Sequence, residues 1–391
     1  MTHSDPHLRG ADPRVAGGRL TVDLDALAAN YRFLAEQSTP AEAGAVVKAD
    51  AYGLGTGPVV EALVAEGCRK FFVALPEEGL AVRASAPEAD IYVFNGLFSP
   101  EAASFYREGR LLPVLNSQSD LAIWEAHGWD DGETPRPCAL HLETGMNRLG
   151  LSAERANVLA QENALTGALT PRLIISHLAC ADSPDHPMNR QQIESFQALC
   201  ALFPDAESSL ANSAGIFLGG EFLCDVTRPG VALYGSNPVS GTTNPMRPVA
   251  SVHARIAQLR HVPAGGTVSY GATPLNRDTR IAVTATGYAD GYHRSGSGAG
   301  VPLRSALPEG AHGFVGGRRV PVLGRVTMDI TLFDVTDLGP DALQVGDFIE
   351  LMGPNVPVDE LASACGTISY ELLTSLGHRF ERHYLGGGGP V

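Results

Sequence analysis

AVVKADAYGLG, residues 45–55, joins a short apolar run to a glycine-containing loop through a single lysine. The β-branched run at 45–47 predicts a buried strand, and Gly53 and Gly55 predict the loop that ends it. Lys48 therefore lies at the C-terminal end of a strand, the edge at which α/β barrels carry their catalytic groups.

Composition sets Lys48 apart from the other cationic residues. The chain of 391 residues has 28 lysine and arginine residues, and only Lys48 and Lys70 are lysines. Arginine stays protonated, whereas a desolvated lysine can act as an amine nucleophile. Lys48 is therefore a Schiff-base candidate, and the alternative is a lysine that snorkels from the rim of the sheet. We expect Lys70, which precedes the apolar run FFVAL, to occupy a solvated strand entrance.

Length and charge narrow the class of protein. The chain exceeds the roughly 250–300 residues at which a single core stops growing, which favours two domains. Its formal net charge of −15 argues against nucleic acid or an anionic membrane as a partner. No apolar run reaches the roughly 18 residues of a membrane span. Six cysteines without a CxxC pair are typical of reduced thiols in the cytoplasm and predict neither disulfides nor a metal site.

Strand-like runs alternate with helical segments as far as residue 230. Their near-continuous apolar character is typical of parallel strands covered on both faces. Eight such units favour a (β/α)8 barrel over an open doubly wound sheet. The runs are AVV (45–47), FFVAL (71–75), IYVFN (91–95), LLPVL (111–115), CALHLE (138–143), LIISHL (173–178), SSLAN (208–212) and DVTRPG (225–230).

The pattern changes at the segment 236–248, which is rich in Pro, Gly, Ser and Thr. Beyond it, strand-like runs follow one another, and only SYELLTSLG near the end has helical composition. The sequence therefore predicts an α/β chain with an N-terminal (β/α)8 barrel and a C-terminal all-β domain. We place a flexible leader at 1–14, the barrel at 15–240, the β domain at 241–385 and a flexible tail at 386–391.

A lysine at the end of the first barrel strand resembles the fold-type III pyridoxal-phosphate enzymes, and the surrounding motifs resemble the alanine racemase family. AVVKADAYGLG is similar to the cofactor-lysine motif of that family. The similarity continues in family order over nearly the whole chain. It includes ETGMNRLG (143–150), SHLACAD (176–182), NSAG (212–215), TRPGVALYG (227–235), VSYGAT (268–273), GYADGY (287–292), GRVTMDI (324–330) and TISYE (367–371).

The resemblance implies that two bases interconvert L- and D-alanine. Lys48 would carry pyridoxal 5'-phosphate as a Schiff base and then act on one face of the substrate Cα, and Tyr270 would act on the other face. A tyrosine has an ordinary pKa near 10, so a tyrosine base needs cationic neighbours. In the family the residue matching His177 lies beside the cofactor ring and is linked to the match of Arg228. From the residues alone, a core aromatic is the better reading of Tyr270.

The resemblance also places the guanidinium of Arg228 against the pyridine nitrogen. Arginine can only donate, so the nitrogen stays unprotonated and a carbanion at Cα is short-lived. Return of the proton to Cα is then favoured over side reactions. Position alone also allows a rim arginine paired with Asp225.

The remaining site residues are carried over from the family by position. Glycine-rich turns at the last two barrel strands suit a phosphate. Arg148 matches the residue that contacts the cofactor phenolic oxygen and the substrate carboxylate. Tyr370 matches a phosphate contact, although from its position alone it could instead cap a surface helix. The other cofactor contacts are Tyr52, Asn212, Ser213, Gly230 and Val231, with Tyr370 on the phosphate side, and no metal is expected.

A substrate pocket is implied in the β domain. Tyr288, Met328 and Asp329 match residues that line it, and Arg294 matches a neighbouring arginine. In the family these residues and the match of Tyr270 reach the site of the opposite subunit, so the resemblance implies a homodimer with shared sites.

The chain departs from the family at His141. Several relatives carry a lysine at this position, seven residues before the arginine of GMNR, and its carbamylated form orients that arginine. A histidine cannot form the carbamate, so Arg148 is held by water, an anion or another side chain. His141 could also be only a hydrogen-bonded strand residue.

Three other functions remain open from the sequence. One is a broad-specificity amino-acid racemase of the same fold. Another is a pyridoxal-phosphate decarboxylase, against which Arg228 argues, because those enzymes resemble one another in placing an acid at the pyridine nitrogen. The third is a non-enzymatic pyridoxal-phosphate protein of cofactor homeostasis, which would resemble the barrel alone. For the leading function, cytoplasmic supply of D-alanine to peptidoglycan is the expected setting.

Overall fold

The computed structural model describes residues 10–130, 134–135, 137–301 and 310–387. Residues 1–9 of the predicted leader and 388–391 of the predicted tail lie outside the described residues. None of the described helices has the length and apolar character needed to cross a membrane.

All eight predicted barrel strands form, and they surround one core. Seven make a single parallel sheet in sequence order, in which Phe72 pairs with Val46 on one side and with Tyr92 on the other. The eighth pairs with the strand Glu42–Ala43, so the sheet curls back on itself and the predicted barrel is confirmed. The eight strands are Ala45–Val46, Lys70–Val73, Asp90–Val93, Leu112–Leu115, Pro137–His141, Thr170–Ile175, Glu207–Ser209 and Val226–Thr227.

Helices cover the outside of these strands. The first begins at Asp23, whose carboxylate accepts a hydrogen bond of 2.8 Å from the Ala26 N–H, as expected of an N-cap. Inside the barrel, the ring of Phe72 stacks on those of Tyr92 and Phe94 at 5.1 and 5.6 Å. The helices are Leu24–Ser38, Thr56–Ala65, Pro76–Ser85, Ala102–Glu108, Gln118–His127, Ala153–Thr166, Pro187–Cys200 and Gly220–Leu223, with 3-10 turns at Gly215–Phe217 and Val231–Tyr234.

The C-terminal part is built on an eight-stranded sheet around one long strand, Ala250–Val262. An N-terminal strand, Gly18–Asp23, joins this sheet between Ala250–Val262 and Glu381–Leu385, so both ends of the chain meet in it. The division into domains at residue 240 stays a prediction. The other strands of this sheet are Thr279–Thr284, His312–Val315, Arg318–Pro321, Thr331–Asp334 and Phe348–Met352. A short hairpin pairs Thr267–Val268 with Thr273–Pro274. Another, earlier in the chain, pairs Trp129–Asp130 with Thr134–Pro135.

Two expectations from the sequence were wrong in detail. The C-terminal part contains the predicted helix, Ser369–Thr374, but also Val358–Cys365, whose apolar face packs into the main core. Lys70 is only 8% exposed, because its ammonium lies between Glu42 and Glu207. None of the six cysteines forms a disulfide among the described residues.

Candidate active site

Lys48 lies where the first barrel strand ends, beside a cavity of about 270 Å³. The side chain is partly buried. Burial and the nearby Arg148 lower the pKa of its ammonium, and Glu78 opposes them. A lowered pKa raises the fraction of neutral amine, the form that can attack a carbonyl or take a proton. His141, Arg148, His177 and Arg228 line the same cavity.

The chain leaves Lys48 in a left-handed turn. Ala49, Asp50, Ala51 and Tyr52 have φ between 52° and 56°, although none of them is glycine. A left-handed conformation costs about 1–2 kcal/mol for each such residue, so the surroundings must hold this turn in place.

Arg228 lines the cavity and is 2% exposed. Its guanidinium donates to Ser209 Oγ and to the Ser176 carbonyl, the latter at 2.6 Å. Burial lowers its pKa to about 10, so it stays cationic near neutral pH. It does not pair with Asp225, whose carboxylate accepts from the Ser208 N–H and hydroxyl.

His177 lies beside this arginine on the cavity wall. Burial, Arg228 and Arg148 all lower its pKa well below the ordinary value, so the ring is neutral. The backbone is anchored because the Gln192 side-chain amide donates to the His177 carbonyl at 2.8 Å.

His141 is fixed by Asn116, a residue that the motifs did not indicate. The Asn116 amide donates to the Phe94 and Val114 carbonyls at 2.8 and 2.9 Å, so its oxygen must accept from His141 Nδ1, 2.8 Å away. Burial and Arg228 lower the His141 pKa to about 4. The ring is therefore neutral and keeps its Nε2 as an acceptor.

Arg148 makes no hydrogen bond or ion pair within the described part of the chain. Arg148 and His141 line the same cavity, so the guanidinium of Arg148 can meet a ligand there.

The predicted phosphate contacts gather on the side of the barrel where the last strands end. Ser213 Oγ accepts from the N–H groups of Gly230 and Ala232, at 2.8 and 3.3 Å. The Val231 N–H, between them, has no partner among the residues that the structure describes. Added to Gly230, a Cβ would lie 2.6 Å from Tyr52 Oη, so only glycine fits there.

Aromatic rings close this phosphate side. Tyr52 stacks on Tyr234 at 4.5 Å, and Tyr370 is tilted against Tyr52 at 6.0 Å. Asn212 serves the adjoining turn, because its side-chain oxygen accepts from the Gly215 N–H at 2.9 Å.

The predicted β-domain residues form a second, separate group. Around an open cavity of about 610 Å³ lie Tyr270, Tyr288 and Met328, which are 71%, 42% and 54% exposed. Asp329 and Arg294 line the same cavity, and the Asp329 carboxylate also pairs with Arg379 at 2.8 Å. Within one chain, the predicted residues thus fall into two groups, one beside Lys48 and one around Tyr270.

Comparison with known proteins identifies the family. Residues 22–238 match the family model "Alanine racemase, N-terminal domain", and residues 249–384 match "Alanine racemase, C-terminal domain". The chain belongs to the alanine racemase family. The alanine racemase of Rhizobium meliloti (strain 1021) is 53% identical over 95% of this chain and 98% of that protein. The biosynthetic alanine racemase of Agrobacterium fabrum is 52% identical over 94% of this chain and 93% of that protein.

Solved structures of alanine racemases share the fold. The enzyme of Bartonella henselae, crystallised with covalently bound pyridoxal phosphate, is 36% identical, with a TM-score of 0.86 over 95% of this chain and 100% of that chain. The biosynthetic enzyme of Pseudomonas aeruginosa is 37% identical, with the same TM-score and coverage.

The site of this alanine racemase fits pyridoxal phosphate. The Lys48 amine could meet the aldehyde and the Arg228 guanidinium the ring nitrogen, and the Val231 N–H, which has no partner among the described residues, could meet the phosphate. Sequence reasoning did not find three residues that hold parts of the site: Asn116 accepts from His141, Ser209 accepts from Arg228, and Glu78 accepts from the Ala49 N–H. Their partners are distant along the chain, so no local motif indicates them.

Proposed function

We propose that Lys48 and Tyr270 act as the two bases when this enzyme racemises alanine. Pyridoxal phosphate, when bound, supplies the electron sink that weakens the Cα–H bond of the amino acid. The Lys48 amine takes or returns the proton on one face of Cα, and the Tyr270 hydroxyl does so on the other. The lowered pKa of Lys48 supports its role as a base.

The observation that favours a racemase is the buried cation of Arg228, which lines the cavity. Arg228 is buried there, and none of the described residues lining the cavity is acidic. A guanidinium donates and cannot accept, so it would hold the ring nitrogen without protonating it. The electron sink that the cofactor supplies would then be weak, which would favour return of the proton to Cα. This argument favours a racemase over a decarboxylase of similar architecture.

We propose that Arg148 binds the substrate carboxylate. It lines the cavity and has no hydrogen-bond or ion-pair partner among the described residues, and a guanidinium can hold a carboxylate through two hydrogen bonds. His141 Nε2, kept as an acceptor by Asn116, lies on the same wall. Tyr288, Met328 and Asp329 would limit the side chain to the size of a methyl group; acceptance of larger amino acids is the alternative.

A homodimer with shared sites is part of this proposal. Tyr270, Tyr288, Met328 and Ile330 form an apolar patch on the β domain that is exposed in a single chain. Such a patch marks an interaction site, and a second copy of the chain would bring it to the mouth of a barrel. Tyr270 would then face the Lys48 of the other subunit.

We further propose that the enzyme acts in the cytoplasm and supplies D-alanine for peptidoglycan. Agrobacterium fabrum has a biosynthetic alanine racemase that is 52% identical to this chain and a catabolic one that is 40% identical. The higher identity supports the biosynthetic role. The second domain, residues 249–384, argues against a non-enzymatic cofactor-binding protein that consists of a barrel alone.

Exchange of the Cα hydrogen in D2O tests the two-base assignment. Wild-type enzyme should incorporate deuterium into L- and D-alanine with inversion, as chiral chromatography and mass spectrometry would show. Tyr270→Phe should retain exchange from one enantiomer and lose it from the other, because each base serves one face. Equal loss from both enantiomers would contradict the assignment.

A further inference from the structure

A single carboxylate, that of Glu78, holds the left-handed turn that follows Lys48. Glu78 Oε1 accepts from the Ala49 N–H at 2.7 Å. Its other oxygen accepts from the N–H groups of Ala74 and Leu75 at 2.7 and 3.0 Å. One carboxylate therefore ties the turn after the first barrel strand to the loop after the second.

This contact acts on the peptide group that leaves Lys48. The plane between Lys48 and Ala49 is rigid, so fixing its N–H restricts rotation of the backbone at Lys48 and the direction of the side chain. Because a left-handed run of non-glycine residues is unfavourable by itself, the direction depends on such external contacts.

A second arm comes from the last strand of the C-terminal sheet. Tyr384 Oη donates to the Leu54 carbonyl and Arg382 Nη1 to the Gly53 carbonyl, both at 2.9 Å. The approach is close, because a Cβ added to Gly55 would lie 2.2 Å from Tyr384 Oη. Both ends of the turn are thus held by side chains from outside it.

We propose that Glu78 and Tyr384 are positioning residues for Lys48, which clamp the turn so that its amine points into the cavity. The proposal rests on Lys48 as the cofactor lysine. It adds that the C-terminal sheet controls Lys48 within the same chain, separately from the contribution of Tyr270 to the site.

The alternative is that Glu78 only caps its own helix, Pro76–Ser85, through the Leu75 N–H. A cap would affect unfolding and leave the reactivity of Lys48 in folded protein unchanged. The test must therefore measure that reactivity directly.

The test is the rate at which apoenzyme captures pyridoxal phosphate. The Lys48 amine condenses with the aldehyde and releases one water, and borohydride then delivers a hydride that makes the bond permanent. Mass spectrometry of tryptic peptides locates and counts the adduct, and circular dichroism gives the folded fraction. Wild-type capture at a residue other than Lys48 would refute the proposed function itself, independently of the clamp.

Glu78→Ala and Tyr384→Phe should each slow capture at Lys48 by about tenfold per folded molecule, because misplaced reacting groups lose at least that much. Glu78→Gln, which keeps one acceptor oxygen, should be intermediate. Glu77→Ala is the matched control, since Glu77 lies in the same helical turn and makes no hydrogen bond within the described residues. In the holoenzymes of the two clamp variants, kcat should fall while KM for alanine changes little.

Unchanged capture rates in Glu78→Ala and Glu78→Gln, with only a lower unfolding midpoint, would overturn the clamp and leave the helix cap. An unchanged capture rate in Tyr384→Phe alone would refute the positioning role of Tyr384 and leave that of Glu78. If Glu78→Ala does not fold, Glu78→Gln and Tyr384→Phe decide the question.

Discussion

Ser213→Ala should weaken both the fold and cofactor binding, because one hydroxyl organises the phosphate side of the site. Ser213 is 3% exposed, and its Oγ accepts from the N–H groups of Gly230 and Ala232. Alanine would leave two buried donors without partners, at about 1–3 kcal/mol each. The longer second bond, at 3.3 Å, places the total at about 2–4 kcal/mol.

The same change should loosen the backbone that presents the Val231 N–H. We expect the dissociation constant for pyridoxal phosphate to rise by about tenfold or more, equivalent to about 1.4 kcal/mol. Urea denaturation of the apoenzyme at one protein concentration measures the loss of unfolding free energy, and equilibrium dialysis measures the dissociation constant for pyridoxal phosphate. Ser213→Thr, which keeps the hydroxyl, and Ser240→Ala, at an exposed serine, serve as controls.

A Ser213→Ala variant that loses less than about 0.5 kcal/mol, the range of an ordinary surface substitution, would refute this reasoning. An unchanged cofactor affinity in a destabilised variant would also refute it, because the Ser213 hydroxyl would then support the fold without supporting the phosphate site.

The remaining predictions concern three charged or titratable residues. Rigorous removal of CO2 should leave racemase activity unchanged, because the imidazole of His141 cannot form a carbamate; a clear loss of activity would contradict this. Arg228→Glu should slow racemisation and increase the conversion of alanine to pyruvate, measured with lactate dehydrogenase, because an acid strengthens the electron sink; unchanged partitioning would count against Arg228 as the ring-nitrogen partner. Lys70→Met should cost about 1–2 kcal/mol near pH 7, a value reduced because Glu42 and Glu207 are half exposed. Burial lowers the pKa of Lys70, but Glu42 and Glu207 raise it by more, so its pKa in the folded protein lies above 10.5. The stabilisation by this ion pair is therefore complete below pH 10.5 and is lost as the pH rises through the folded-state pKa. A Lys70→Met cost that grows above that pH would contradict this prediction.

The barrel was predictable because its signal is local and repeated. Each strand is a short apolar run, and the regular alternation with helices leaves few other folds. The strand Gly18–Asp23 pairs with strands that lie more than 200 residues away along the chain. No local pattern could assign it to the C-terminal sheet.

The site was predictable where a residue type is itself unusual. Lys48 stands out because lysine is rare in this chain, whereas Arg228 was indicated only by the resemblance of its motif, TRPGVALYG, to the family. The left-handed turn could not be predicted, since Ala, Asp, Ala and Tyr do not ordinarily form one. Lys70 misled us because its partners, Glu42 and Glu207, are brought together only by closure of the barrel.

The central claim is that Lys48 of one subunit works with Tyr270 of the other. The most direct test is to mix the Lys48→Ala and Tyr270→Phe variants, each inactive by itself, and to denature and refold them together before the assay. Random pairing makes half of the dimers mixed, and each mixed dimer has one intact site, so activity should return to about a quarter of the wild-type value. Activity that stays at the level of the separate variants would show that both bases come from one chain, and the account of shared sites would be wrong.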